Sequence, residues 1–191
     1  MNERQLNDGT AAEGARTAYR PSLTFYHANA RGTGAAVSME LHPAHDDIGG
    51  SIMMKIANQM TVGSRQGPNP TFARFDWENA ITVKLDFNDL CQVLQVLRGE
   101  CESVGEGRGL FHTSARAQTA IKLRHQLEPA NGYLLEVFRK VRANGEESSA
   151  RILLTAAEAT GLCESIAGSM SVVGFGIPVV RPHGPARREK P

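Results

Sequence analysis

The chain has 191 residues, of which 41% are hydrophobic and 21% charged, with a formal net charge of +1. This composition predicts a globular protein with one core and excludes a largely disordered chain. The near-neutral balance also argues against a uniformly basic, nucleic-acid-coating protein, but it leaves open a local basic stripe offset by acidic residues elsewhere.

Both ends of the chain are predicted to be disordered tails. Residues 1–20 are polar, contain glycine and alanine, and show no structural period. Residues 179–191 are rich in proline and basic side chains. Between these tails, residues 21–178 are predicted to form a single domain.

Four segments of the first half alternate apolar and polar residues, which is the period of a β-strand. They are SLTFYHA, AAVSMEL, SIMMKIA and ITVKL. The period then changes in DFNDLCQVLQVLRG, where apolar residues recur at helical spacing from Leu90 to Leu97. Asp86 is a candidate N-cap for this helix and Gly99 a candidate end.

The second half repeats the plan of the first. GLFHT, TAIKLRHQL, YLLEVFRKV and ARILL are predicted strands, and TAAEATGLCESIAGSMSVV is a predicted helix. Thr155 and Glu158 have the spacing of a capping box at its start. The sequence therefore predicts an α+β fold in which a ββββα unit occurs twice, over residues 22–99 and 108–175. Two antiparallel four-stranded sheets would hold the two helices on their apolar faces.

The chain has three cysteines, Cys91, Cys101 and Cys163. An odd number of cysteines at wide separations does not fit a disulfide framework or a zinc site. The chain has no apolar run of about 18 residues, so no transmembrane helix is predicted. A basic-then-apolar leader is also missing from the N-terminus. We therefore expect an intracellular protein, in the cytoplasm or an organellar matrix, without membrane partners.

Enzyme motifs are missing from the sequence. Gly-x-Ser-x-Gly does not occur, and no cysteine has the context of a nucleophile. His42 and His45, beside Asp46 and Asp47, form one candidate metal site, but Pro43 and the expected turn favour a solvated hairpin loop. The prediction is a non-enzymatic protein without metal or cofactor.

Several predicted strands combine aromatic rings with cations: TFYHANAR, FARFDWEN and RGLFHTSARAQTAIKLRH. In IKLRH, Lys122 and Arg124 point to one face of the strand, and Ile121 and Leu123 point to the other. Proteins bind single-stranded nucleic acid with such a cationic track beside stacking rings. A solvated face with core aromatics explains the stripe equally well, and for Trp77 a core position is favoured.

The order and spacing of four short motifs resemble the Whirly family of single-stranded DNA-binding proteins over residues 23–176. GTGAAVS (32–38) is similar to the family's Lys-Gly-Lys-Ala-Ala-Leu-Ser motif, and FDW (75–77) is similar to its Tyr-Asp-Trp. LFH (110–112) is similar to the family's Phe-Phe-His, and LRHQLEP (123–129) to its Leu-Lys-(Val or Ile)-Glu-Pro. Both lysines of the first motif are replaced here, by Gly32 and Gly34, with Arg31 just before them.

This resemblance implies the doubled ββββα fold, single-stranded DNA as the partner, little sequence specificity and a homotetramer. The candidate nucleic-acid-binding residues are Arg31, Gly34, Ala35, Lys55, Trp77, Phe111, Lys122 and Arg124. Two alternatives stay open: an RNA-binding protein on the same fold, and an assembly or scaffold protein that has lost its ligand. The replaced lysines and the near-zero net charge favour the second of these.

The GTGAAVS segment itself has two interpretations. Gly32 and Gly34 would let the backbone approach a ligand without an intervening Cβ, with Arg31 attracting phosphate. A bulged hairpin corner requires glycine for the same dihedral reasons. The sequence favours the ligand-facing interpretation because of the motif match.

Overall fold

The computed structural model describes residues 22–44, 48–64, 69–128 and 130–176. The predicted tails, residues 1–20 and 179–191, lie outside these ranges, so their disorder and the domain boundaries stay predictions.

An antiparallel sheet forms from the first half of the chain, with strand order β1-β2-β3-β5. Its strands are β1 (Ser22–His27), β2 (Ala35–His42), β3 (Ser51–Thr61) and β5 (Ile81–Leu85). A two-residue strand, β4 (Arg74–Phe75), pairs with the far end of β3 and was not predicted. The four predicted strands of this half are confirmed.

The second half forms a four-stranded antiparallel sheet in the order β6-β7-β8-β9. The strands are β6 (Leu110–Thr113), β7 (Ala117–Gln126), β8 (Gly132–Val141) and β9 (Glu147–Thr155). β1 and β6, the first strands of the two halves, are therefore both edge strands, each hydrogen-bonded to a neighbour along one side only in the described structure.

One helix closes each half. The helical segments are α1 (Phe87–Leu97), α2 (Ala156–Phe175) and a 3₁₀ turn between α1 and β6 (Val104–Gly107). Asp86 caps α1 and Thr155 caps α2, and in each case the third helical residue, Asp89 or Glu158, completes a capping box. Both predicted helix starts are confirmed, because the capping side chains satisfy backbone N–H groups that the first turn leaves unpaired.

A single hydrophobic core lies between the two sheets and the helices. Alternate residues of each strand point into it, and Val37, Ile56, Val137 and Leu154 have no measurable exposure. The edge strand β9 packs against the inner face of the first sheet. Burial of each such side chain stabilises the fold by about 1.5–3 kcal/mol. The doubled ββββα plan is therefore confirmed, and it leaves the outward face of each sheet in solvent.

Candidate nucleic-acid interface

The outward face of the second sheet carries two exposed phenylalanines. Phe111, Ala120, Phe138 and Ser149 align across the four strands in one register row, which we call the Phe111 row. Phe111 is 68% exposed and Phe138 is 43% exposed. Because the small Ala120 lies between the two ring-bearing positions, the row leaves both rings accessible to a flat ligand.

Cations lie beside the Phe111 row on the same face. Lys122 and Arg124 are both exposed and share the outward parity of β7. The Nζ atom of Lys122 lies 5.8 Å from the centroid of the Phe138 ring, within range of a cation–π attraction. Lys122 aligns with Glu136 on β8 and Arg151 on β9, so cations outnumber carboxylates in this row.

An open pocket of about 490 Å³ adjoins the Phe111 row and is lined by both rings. Lys140, also in its lining, donates a hydrogen bond to Glu147 at 2.7 Å, and this bond lowers the pKa of the Glu147 carboxyl. The charge of Lys140 is therefore balanced within the protein. Arg139 lines the pocket too, and its buried Nε has no hydrogen-bond partner among the described residues.

The outward face of the first sheet carries a different aromatic group, Tyr26, Phe75 and Trp77, which we call the Tyr26 cluster. The Tyr26 ring centroid lies 5.5 Å from that of Phe75 and 6.3 Å from that of Trp77, the latter in an edge-on contact. Tyr26 is 60% exposed and Trp77 is 37% exposed. The sequence favoured a core position for Trp77, and the structure corrects this because Trp77 packs on the outward ring of Tyr26. Lys55 is exposed on the same face.

Asn58, near the end of β3, links the two sheets. Its side-chain Nδ2 donates to the carbonyl of Ser149, the last residue of the Phe111 row, at 2.9 Å. Its own carbonyl accepts from the N–H of Asp76, between Phe75 and Trp77, at 2.9 Å. The predicted residues thus lie on both sheets, and Asn58 connects the end of the Phe111 row at Ser149 to the segment that carries Phe75 and Trp77.

The turn between β1 and β2 is organised by one buried side chain, Gln59. Its Oε1 accepts from the N–H groups of Asn29 and Gly34, and its Nε2 donates to the carbonyls of Asn29 and Thr61. A Cβ on Gly34 would lie 2.1 Å from the carbonyl oxygen of His27 and 2.5 Å from Gln59 Oε1. The space that glycine leaves is therefore filled by the protein's own backbone, as in a hairpin corner.

Two of the predicted contact residues are buried. Gly34 is buried and Ala35 is only 2% exposed on the core face of β2, so neither residue presents much accessible surface to a ligand. Arg31 is exposed at the tip of the same turn, where its N–H donates to Asn29 Oδ1 at 3.0 Å. Gly32 has φ +72°, which also fits a structural role in the turn.

Sequence reasoning did not select Tyr26, Phe138 or Asn58 as site residues. Phe138 shares the strand parity of Glu136 and Lys140, so the alternation of β8 already indicated that its ring points outward. Tyr26 has the same parity as Thr24 and is detectable in the same way. Asn58 has no signal in the sequence, because its two partners come from distant segments.

The candidate metal site is described only in part. His42 Nε2 lies 2.9 Å from Glu40 Oε1, and His45, Asp46 and Asp47 lie outside the described residues. Within the described ranges, no three histidine, cysteine or acidic side chains are grouped to hold a metal ion. The three cysteines are free thiols, and no described helix is both long and apolar enough to cross a membrane.

No protein-family model and no curated protein matches the sequence. Solved structures do match. WHY1 from Arabidopsis thaliana superposes with a TM-score of 0.65 at 13% identity, over 83% of this chain and 87% of that one. The plant transcriptional regulator PBF-2 gives 0.62 at 16%, over 81% and 82%. A guide-RNA-binding protein complex bound to a guide RNA gives 0.53 at 14%, over 85% and 98%. WHY1 and PBF-2 are Whirly proteins, so the resemblance in the sequence is confirmed at the level of the fold.

Proposed function

We propose that this protein binds single-stranded DNA, without catalysis and with little sequence specificity, along the outward face of the second sheet. The observation that carries the proposal is the Phe111 row, where two exposed rings on a flat β-face lie beside Lys122 and Arg124. Bases of an unpaired strand would stack on Phe111 and Phe138, while the cations face its phosphates.

The geometry favours an unpaired strand over a duplex. Stacking on a side chain requires a free base face, and the bases of a duplex are already stacked on one another. Every base has such a face, so this mode of binding accepts most sequences. Low specificity also agrees with an interface built mainly from rings and flexible cations.

Electrostatics allow this mode in spite of the low net charge. Along β7–β9, Lys122, Arg124 and Arg151 outnumber Glu136, so the face is locally basic although the whole chain carries only +1. Binding should therefore weaken as salt rises, because each neutralised phosphate releases counterions.

A longer strand would continue past Asn58 to the first sheet. There it would meet the Tyr26 cluster and Lys55, and Arg31 lies at the tip of the β1–β2 turn. The contact residues we propose are Arg31, Lys55, Trp77, Phe111, Lys122 and Arg124 from the sequence prediction, with Tyr26 and Phe138 added from the structure.

The test is a binding isotherm for a single strand of about 30 nucleotides, long enough for several stacking sites. We expect affinity to fall as salt is raised from about 50 to 200 mM, and a duplex of equal length to bind far less well. Equal binding of both forms, or no binding of either at low salt, would reject the proposal and favour a scaffold role.

RNA is the second candidate ligand on the same surface. The observation that favours it is the structural match to a protein complex bound to a guide RNA. Stacking on Phe111 and Phe138 does not itself distinguish the two sugars. Competition between DNA and RNA strands of matched sequence separates the candidates, and preferential displacement by RNA would replace DNA in the proposal.

We also propose a homotetramer held together by its helices. Phe87 at the start of α1 and Phe175 at the end of α2 are 43% and 78% exposed, and both line one open pocket. Burial of these rings against another copy would remove apolar surface from water. Light scattering should give four subunits for the native chain and fewer for Phe87→Ser/Phe175→Ser, and a native monomer would contradict the assembly.

A further inference from the structure

Each half of the molecule is tied to the helix of the other half by a histidine. His27, the last residue of β1, contacts both carboxylate oxygens of Glu158 in α2, at 2.8 and 2.9 Å. His112, in β6, lies 3.0 Å from Asp89 in α1. The pairs are crossed, because the strand of the first half meets the helix of the second and the reverse.

The two carboxylates occupy equivalent positions. Asp89 and Glu158 are each the third residue of their helix, and each also accepts the N–H of the capping residue, at 3.1 Å for Asp86 and 2.8 Å for Thr155. One carboxylate therefore fixes the start of a helix and holds a strand of the other half at the same time.

The two histidines occupy equivalent positions as well. Each directly follows an outward aromatic residue, Tyr26 before His27 and Phe111 before His112. Because side chains alternate along a strand, the imidazole points inward when the preceding ring points outward. In each edge strand, the histidine that contacts the helix is therefore adjacent in sequence to the aromatic residue that faces solvent.

The Tyr26 and Phe111 rings lie on edge strands, β1 and β6, and each of these strands pairs with a neighbour along one side only among the described residues. Such a strand lacks the second hydrogen-bond ladder that would hold its position. The histidine–carboxylate contacts stabilise the position of the strand instead, because they link its inward face to the capped start of a helix.

We propose that His27 and His112 are positioning residues that fix the outward rings of Tyr26 and Phe111 for nucleic-acid stacking. The proposal rests on the proposed function for its role in binding, but the positioning itself is measurable without any ligand. It adds to the interface four residues that act by holding the rings rather than by stacking on bases: His27, His112, Asp89 and Glu158.

The environment of the pairs supports this role. The side chains of His27 and His112 are each 29% exposed, and those of Glu158 and Asp89 are 26% and 13% exposed. Burial alone would raise the pKa of Glu158, but hydrogen bonds with His27 and Thr155 outweigh it and lower the pKa. Glu158 is therefore held ionised, the form that accepts hydrogen bonds most strongly.

Trp77 provides the readout, since it is the only tryptophan of the chain and lies against Tyr26. We expect His27→Ala to shift the Trp77 emission and to weaken single-strand binding about five- to tenfold, the lower end of one base's stacking contribution. His112→Ala should weaken binding to a similar degree and leave the Trp77 emission unchanged. The two variants are matched controls, because each removes one histidine–carboxylate contact from an edge strand.

His27→Gln and His112→Gln test positioning against general destabilisation. Glutamine keeps an N–H donor for the carboxylate, so each should restore binding relative to the alanine variant, and His27→Gln should also restore the Trp77 emission. An unshifted Trp77 emission in folded His27→Ala, an equal shift in His112→Ala, or no rescue by glutamine would overturn the proposal. If the native chain binds no single strand, the proposed function fails, and the emission arm still decides the positioning.

Discussion

The two halves share one plan but present aromatic rings in different ways. In the Tyr26 cluster the rings pack on one another, whereas in the Phe111 row the small Ala120 lies between Phe111 and Phe138. Packing covers part of the rings in the Tyr26 cluster, although Tyr26 stays 60% exposed, whereas separation leaves more of the Phe111 and Phe138 ring faces open. The same ββββα scaffold thus carries a packed aromatic group on one sheet and a more open one on the other.

The largest expected effect on binding comes from removing both rings of the Phe111 row. Phe111→Ala/Phe138→Ala removes two stacking platforms, each worth about 1–3 kcal/mol per base, so single-strand affinity should fall at least 30-fold. Thermal unfolding should change little, because neither ring belongs to the buried core. The matched change on the other sheet, Tyr26→Ala/Trp77→Ala, should cost less affinity, and an equal loss would erase the contrast between the two faces.

The second prediction tests whether Gly34, in the first half, serves folding or ligand binding. Gly34→Ala places a Cβ against the His27 carbonyl and Gln59, so we expect the free energy of unfolding to fall by about 1–3 kcal/mol. Chemical denaturation measures this loss. The affinity of the remaining folded protein should be unchanged, and a selective loss of binding without destabilisation would restore the ligand-facing interpretation of this glycine.

A third test concerns charge on the open face. Lys122→Glu/Arg124→Glu should weaken binding about tenfold at low salt and reduce the slope of log affinity against log salt by about 1.4, for two lost contacts at roughly 0.7 each. Lys140→Met is the control, because Lys140 is already paired with Glu147. A native salt slope in the double variant would show that these cations do not face phosphate.

The smallest effect is on the pH dependence of stability. The pKa of Glu158 is lowered in the folded state, so its contribution is present above the ordinary value of about 4.3 and is lost as pH falls through the lower folded value. Glu158→Gln keeps an oxygen acceptor for the cap and removes the titration. Its stability profile should therefore be flatter than the native one at acid pH, and superimposable profiles would exclude this coupling.

The architecture was predictable where a period extended over several residues. Alternation in the long strands and the capping signals at Asp86 and Thr155 defined both sheets and both helices. β4 was not predicted, because a strand of two residues is too short to show an alternation of apolar and polar residues. The resemblance to the Whirly family agreed with the plan inferred from periodicity, and structural superposition confirmed it at identities of 13–16%.

The candidate site was less predictable, because it depends on what surrounds each residue. Lys122 and Arg124 followed from strand parity alone. A sequence cannot say whether the space beside Gly34 is left for a ligand or filled by the protein's own carbonyl groups. Nor can it place Asn58 between Asp76 and Ser149, which are far apart in the chain and meet only after folding.

The crossed histidine–carboxylate pairs have a consequence for how the protein can be divided. A cut in the connection after α1 would yield two fragments, and each would keep a helix whose capping acid, Asp89 or Glu158, had lost its histidine. Neither fragment would be a self-sufficient half, in spite of the internal duplication. Mixed together, each would supply the missing contact of the other, so the repeat behaves as a pair of complementary parts rather than as two copies of one module.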